Sequence, residues 1–211
     1  FVTDSLYSIC VKLNLPVNDS QLVMLRNYAE MVLRWNNIVN LTGAKTVSEF
    51  VSDHVADGLA VVPFLNKEKR IIDVGSGGGI PGVVIKIMCP KSRITLLEPR
   101  ARRARFLEQV RIELGLQELD VLGVKLQELR LAQSITKSVL ITRAFGKMGD
   151  FARLCQRVRS QTSKIYFLKA GIDPREVVEA EEVLGRSQII PLSVPGYVKR
   201  SLVKFNNLKL G

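Results

Sequence analysis

The sequence predicts an α/β fold: a doubly wound, largely parallel sheet with a helical extension at its amino end. Three observations predict it. The run Ile71-Ile72-Asp73-Val74 ends in Gly75-Ser76-Gly77-Gly78-Gly79, and apolar Val83, Val84, Ile85 and Ile87 follow. A strand, a glycine loop and a helix in that order form the first unit of such a sheet, with a ligand expected at the strand's carboxyl end, where backbone can approach without a Cβ in the way. From Ile71 onward short apolar runs alternate with helical patterns, which implies parallel strands. Residues 1–65, by contrast, read as helical.

The expected organisation is therefore an N-terminal helical extension over residues 1–66 and a cofactor-binding domain over 67–211. The 211 residues suit one sizeable domain with an appendage, and a hydrophobic content of 46 % supports a real core. In the extension, Asn18 is a helix cap with Gln21 three residues on. Leu22, Leu25, Ala29, Val32 and Trp35 then recur at helical spacing, before a polar break at Asn36-Asn37. Asn40-Leu41-Thr42-Gly43 reads as a turn, and a second helical stretch over 46–60 carries His54 with Asp53 and Asp57 nearby. Pro63 and the run Lys67-Glu68-Lys69-Arg70 mark the boundary before the sheet.

The glycine loop leads to a helix over 80–88, and Pro90 follows its end. Arg93 to Leu97 is the second strand, closing on Glu98, and a helix over 100–114 places Phe106, Leu107, Val110 and Leu114 on one side. Strands are expected at 119–124, 139–142 and 164–168, with a helix over 149–159 between the last two. Asp173-Pro174-Arg175-Glu176 is a helix start, with a cap, proline at the first helical position and glutamate three after the cap. The tail holds strand candidates near 188–192 and 201–205.

The net charge of +11 suggests a polyanionic partner, nucleic acid before an anionic membrane, since the basic residues do not line one face of a long helix. No apolar run approaches the roughly 20 residues that cross a bilayer, and no signal-peptide pattern is read, so no membrane partner is expected. Cys10, Cys89 and Cys155 are scattered and His54 is the single histidine, so no metal site is expected, and the cysteine usage fits a reducing cytoplasm.

Several ligands use such a glycine loop. The P-loop needs a Gly-Lys-Ser/Thr ending, and Ile80-Pro81 stands there instead. The dinucleotide fingerprint is broken at Ile80, where a third small residue belongs. Glu98, 21 residues after Gly77, is placed to accept hydrogen bonds from both hydroxyls of an adenosine ribose. Asp73 precedes the glycines, where it would repel a diphosphate but attract the amino group and sulfonium of S-adenosyl-L-methionine. S-adenosyl-L-methionine is therefore the expected cofactor, over NAD. Leu126 is placed to pack on its adenine and Gln127 to read the ring's edge. Arg143, after the fourth strand, is placed to orient the cofactor or to hold an RNA phosphate or the target base. Arg100, Arg102, Arg103 and Arg105 cluster after Glu98, and Lys169 follows the fifth strand at the same sheet end, a rim suited to a phosphate backbone.

Taken together, these residues resemble the bacterial small-subunit rRNA guanine-N7 methyltransferases of the RsmG or GidB family. The resemblance runs through Trp35-Asn36 with Asn40-Leu41-Thr42, His54 with Asp57, Asp73 to Gly77 with Ile80-Pro81-Gly82, Leu96-Leu97-Glu98, Arg102-Arg103 with Phe106-Leu107, Thr142-Arg143-Ala144-Phe145, and Leu168-Lys169. It implies a class I (Rossmann-like) methyltransferase sheet with an N-terminal helical extension, and methylation of N7 of one guanosine in 16S rRNA. By position it implies cofactor contacts from Gly75, Ile80, Leu126, Gln127 and Arg143, beside Asp73, Gly77 and Glu98. Arg102, Arg103, Lys169 and His54 are assigned to the RNA. The chain departs from the family at Glu98 and Gln127, where Asp and Glu are common, at Pro99 and Arg100, and at Ala170, which replaces a glycine.

Guanine N7 is already a nucleophile, so alignment matters more than a strong base, and no covalent intermediate is expected. Arg143 is the candidate catalytic residue, in an orienting role. The expected partner is 16S rRNA or the small ribosomal subunit, and the protein is expected to be a cytoplasmic monomer. The rival from another class is a non-catalytic rRNA-binding or assembly factor retaining the fold; intact Asp73, Gly75, Gly77 and Glu98 argue against a dead pocket.

Overall fold

The computed structural model describes residues 1–129, 137–143, 146–156, 158, 162–196 and 199–206. Ala144 and Phe145 of the Arg-Ala-Phe motif lie outside the described residues.

Four helices precede the sheet: α1 (Val2–Lys12), α2 (Asp19–Asn36), α3 (Val47–Phe50) and α4 (Ala56–Leu65). The cap of α2 is as expected: Asn18 Oδ1 accepts from the Gln21 amide at 2.9 Å, and Gln21 Oε1 accepts from the Asn18 amide at 3.1 Å. A π-helical turn, Val51–Val55, joins α3 to α4 and carries His54. The helix does not stop at Pro63, as the sequence suggests, but runs on to Leu65. Nearly every residue of α4 is buried, and that packing outweighs the one backbone hydrogen bond a proline removes.

Strands β1 (Arg70–Val74), β2 (Arg93–Leu97), β3 (Leu119–Leu122), β4 (Ser138–Arg143) and β5 (Thr162–Lys169) are parallel. Helices α5 (Gly82–Met88) and α6 (Ala101–Glu113) follow β1 and β2, α7 (Met148–Gln156) precedes β5, and α8 (Pro174–Leu184) follows it. The tail departs from the parallel pattern. Strands β6 (Ser187–Leu192) and β7 (Arg200–Asn206) pair antiparallel, and β7 inserts between β5 and β6, also antiparallel to β5. The order is β3-β2-β1-β4-β5-β7-β6. The chain reverses its direction of winding between β1 and β4, so the loops after these strands diverge and leave a crevice between them.

Strand alternation sorts the core into two layers. Val139 and Ile141 of β4, with Ile71, Ile94 and Leu96, pack on the side of α1 to α6. Leu140, with Ile72, Val74 and Phe167, packs on the side of α7 and α8. The N-terminal helices thus share a continuous core with one face of the sheet; the expected division at 66/67 falls in the turn before β1. Among the described residues, no helix is long and apolar enough to cross a membrane.

The extension also grips the glycine loop. Tyr28, fully buried on α2, donates its hydroxyl to Gly78 O at 2.6 Å. Tyr28→Phe leaves that carbonyl without its donor and should cost about 1 kcal/mol of stability. A lower urea midpoint with an unchanged slope is the expected result; an unshifted midpoint would show that the hydroxyl is not holding the loop.

Candidate cofactor site

The loop after β1 folds back over the end of β2: the Gly75 and Ser76 amides donate to Leu97 O at 2.9 and 3.0 Å. Gly77 adopts φ +58°, and its amide donates to Glu98 Oε2 at 2.8 Å. The other Glu98 oxygen accepts from the Arg100 amide at 2.9 Å. This carboxylate is thereby fixed between the glycine loop and the start of α6, with a second lone pair on each oxygen still available.

Asp73 is fully buried at the opposite edge of the loop. Its Oδ2 accepts from the Gly82 amide at 3.0 Å, while Oδ1 has no hydrogen-bond partner among the described residues. Only glycine permits this approach at position 82: a Cβ there would lie 2.7 Å from Asp73 Oδ2 and 2.3 Å from a Leu96 methyl. Burial raises the Asp73 carboxyl from 3.8 to about 7, against the lowering effect of the Gly82 hydrogen bond. A buried carboxylate oxygen with no donor fits a cationic group, and the ammonium of an amino-acid moiety supplies one; a diphosphate would be repelled.

Between β1 and β4 the crevice opens into a cavity of about 470 Å³ whose walls include Gly75, Glu98, Arg103, Leu126, Gln127 and Arg143. Leu126 is buried there and Gln127 is exposed at the rim, on a short 3₁₀ turn after β3. Of the expected cofactor residues, Gly75, Glu98, Leu126, Gln127 and Arg143 line this cavity. Gly77 reaches it through Glu98. Asp73 and Ile80 are not lining residues; Ile80 is buried in the core beneath the N-terminal helices.

Arg143 closes one end of the cavity. Its Nη2 stands 2.6 Å from His54 Nδ1, 3.2 Å from Asp57 Oδ2 and 3.4 Å from Asp53 O. A guanidinium only donates, so His54 Nδ1 accepts, and the ring is neutral with its proton on Nε2. Burial, and then the charge of Arg143, lowers the His54 imidazole below its ordinary value. The structure therefore brings His54 to Arg143 rather than to the arginines of α6. Asp57 is itself buried, and its other oxygen accepts from Arg200 Nε at 2.8 Å.

The remaining basic residues are more scattered than the sequence suggests. Arg102 is exposed on α6, while Arg103 lines the cavity and donates to Asn40 O at 2.6 Å. Lys169 pairs with Glu176 at 2.7 Å and donates to Gly146 O at 3.1 Å. Burial pushes the Cys10 thiol up to about 11 and raises Cys89 and Cys155, so the three are packing residues.

Three contributors were given no role at the site from the sequence. Tyr28 hides within an apolar helical stripe. Asn36, read as a polar break, accepts from the Leu41 and Thr42 amides and donates to Thr42 O, building the turn that lies over Gly78. Arg200 stands at the start of β7, and only the antiparallel return of the tail brings it to Asp57.

A family model described as GidB, rRNA small subunit methyltransferase G, matches residues 21–203. The ribosomal RNA small subunit methyltransferase G of Nitrosospira multiformis is 33 % identical over 199 residues, covering 90 % of this chain and 91 % of its own length. That of Stutzerimonas stutzeri is 34 % identical over 169 residues, covering 80 % and 77 %. Among solved structures, a SAM-dependent methyltransferase from Aquifex aeolicus matches with a TM-score of 0.55 at 15 % identity, over 76 % of this chain and 93 % of its own. A mutant of MtNAS in complex with S-adenosylmethionine matches with a TM-score of 0.56 at 12 % identity, over 87 % and 72 %. At these identities the structural likeness is one of fold, and the fold is that of the class I methyltransferases.

The raised Asp73 carboxyl makes the stability of the ligand-free protein depend on pH. The folded chain keeps this proton to higher pH than the unfolded chain does. The group's contribution is therefore greatest below 3.8 and falls as pH rises to about 7. Asp73→Asn removes that slope, so the variant should gain stability over the wild type by roughly 2–4 kcal/mol more at pH 8 than at pH 4. Urea titrations at the two pH values measure this; an equal difference at both would contradict the assigned shift.

Proposed function

This chain belongs to the rRNA small subunit methyltransferase G family, and on that footing we propose that it transfers a methyl group from S-adenosyl-L-methionine to N7 of a guanosine in 16S rRNA. The observation that carries the cofactor reading is the pair of immobilised carboxylates flanking the glycine loop: Asp73 with a free buried oxygen, and Glu98 held by two backbone amides.

When bound, the cofactor supplies an electrophilic methyl on a sulfonium. The chain supplies position. Asp73, buried behind the glycine loop, would neutralise the ammonium, and Glu98 would accept from the ribose hydroxyls with its remaining lone pairs. Leu126 would give the adenine an apolar wall, and Gln127 would read its edge. Arg143, held by Asp57 and His54, orients the reacting groups at the closed end of the cavity. Guanine N7 carries an in-plane lone pair that is free at neutral pH, so no general base is required. Three buried thiols with raised values supply no nucleophile.

The RNA partner is 16S rRNA or the small subunit that contains it. Arg102, Arg103 and Lys169 face its phosphates, Lys169 by exchanging its Glu176 partner. The protein acts in the cytoplasm, as a monomer.

A methyl-transfer assay with tritiated cofactor on small-subunit RNA, with the modified base mapped, tests this function. Arg143→Ala should lower turnover by roughly 10²-fold or more while the protein stays folded, because Arg200 still pairs Asp57. Unchanged turnover would remove Arg143 from the reaction.

A further inference from the structure

Arg143 belongs to two cavities. Beyond it, away from the cofactor crevice, lies a second cavity of about 310 Å³ lined by Asp57, Arg143, Leu168, Lys169, Gly171 and Arg200. It sits at the carboxyl ends of β4 and β5 and the start of β7, the sheet end at which ligands of this fold bind. Its volume is at the small end of the range of about 300–1,000 Å³ for small-molecule sites, suited to one ring system rather than a polymer.

The charges in this cavity are paired. Asp57 takes Arg143 on one oxygen and Arg200 on the other, and Lys169 takes Glu176. A phosphate site would present bare cations; here Arg143, Arg200 and Lys169 each already meet a carboxylate, the two arginines sharing Asp57 with one positive charge in excess, and Leu168 and Ala170 add apolar wall. That combination fits a flat polar ring that carries both an acceptor and donors. It is also the cavity that shares a wall with the cofactor crevice through the orienting arginine, so a ring placed in it lies next to the transferred group.

We propose that this second cavity holds the target guanine, with the Asp57 carboxylate facing its N1–H and N2 amino edge. The proposal rests on the guanine-N7 reading above. N7 of a paired guanosine lies in the deep, narrow groove of an A-form helix, which side chains do not reach, so the base must leave the stack and enter a pocket. The usual arginine reading of guanine is bidentate, to O6 and N7. Here that contact would occupy the lone pair that reacts. A carboxylate on the N1 and N2 edge recognises guanine and leaves N7 open. Each Asp57 oxygen has a lone pair beyond the one its arginine uses. Adenine presents an acceptor at N1 and is rejected. Asp57 is thus a specificity-determining residue, and its two arginines hold the carboxylate in place.

The test fills the cavity and then edits the base. Gly171 lines the cavity and a Cβ there meets nothing within 4 Å, so Gly171→Phe puts a bulky ring at the cavity wall with no clash at its Cβ. That variant should bind S-adenosyl-L-methionine as the wild type does in calorimetry and lose methyl transfer by roughly 10²-fold or more. In the second arm, small-subunit RNA carries inosine at the mapped position, which keeps N7 and lacks the N2 amino group. The wild type should work on inosine about tenfold more slowly than on guanosine. Asp57→Ala, which removes both acceptors, should treat the two alike. Wild-type turnover by Gly171→Phe, or an inosine penalty that persists in Asp57→Ala, would overturn the pocket while leaving the function standing. Absence of N7 methylation by the wild type would overturn both. Should Asp57→Ala not fold, the Gly171 arm decides alone.

Discussion

One buried carboxylate sets the terms for the rest of the structure. Asp73 lies at the end of β1, fully out of water, with one oxygen on the Gly82 amide and no donor among the described residues on the other. Burying an acid this way costs stability, which is why its proton is held up to about pH 7. Folding gains nothing from the free oxygen. A cationic ligand does, and much of the neighbouring geometry serves to keep that oxygen available. Position 82 is glycine because a Cβ would strike both Asp73 and Leu96. The loop between them turns back on Leu97 O, and through Gly77 it fixes Glu98, the second carboxylate of the site.

The helical extension is a structural part of this arrangement. Gln21, beyond its capping role, donates to Ile87 O and Met88 O at the end of α5. Tyr28 holds Gly78, and Asn36 builds the turn that lies over the same glycine. The π-helical turn and the start of α4 supply His54 and Asp57, which fix Arg143 from β4. The two cavities therefore meet at an arginine whose position depends on residues from the extension. Asp57 extends the coupling to Arg200 of β7, so α4, β4 and β7 converge on one buried anion.

Local signals in the sequence were legible, and so was the site at the end of β1. The Asn18–Gln21 cap, the strand before the glycines and the helix start at Asp173 are each set by neighbours within a few residues. Asp73 and Glu98 stood out because an acid before the glycines suits a cation and an acid 21 residues after Gly77 suits ribose hydroxyls; both also accept backbone amides of the loops around them. What could not be read depended on long-range pairing. The antiparallel insertion of β7 beside β5 leaves no mark on its own residues, so Arg200 could not be placed against Asp57. Tyr28 sat within an apolar stripe that gave no hint of its hydroxyl's use. Pro63 was read as a stop because its local rule is strong, yet packing around α4 overrode it. Lys169 was read as a contact for RNA phosphate, and its partner Glu176, on the helix that follows β5, was not foreseen.

The role proposed for Asp73 is that of the anion a cationic cofactor neutralises. Calorimetric titration of S-adenosyl-L-methionine at pH 6, in two buffers of different ionisation enthalpy, tests it most directly. At that pH the carboxyl is largely protonated in the ligand-free protein, and taking up an ammonium beside it requires that proton to leave. Release of about one proton per bound cofactor is the expected result, with none released, and much weaker binding, in Asp73→Asn. Binding of equal strength in both proteins, with no proton exchanged, would contradict the account.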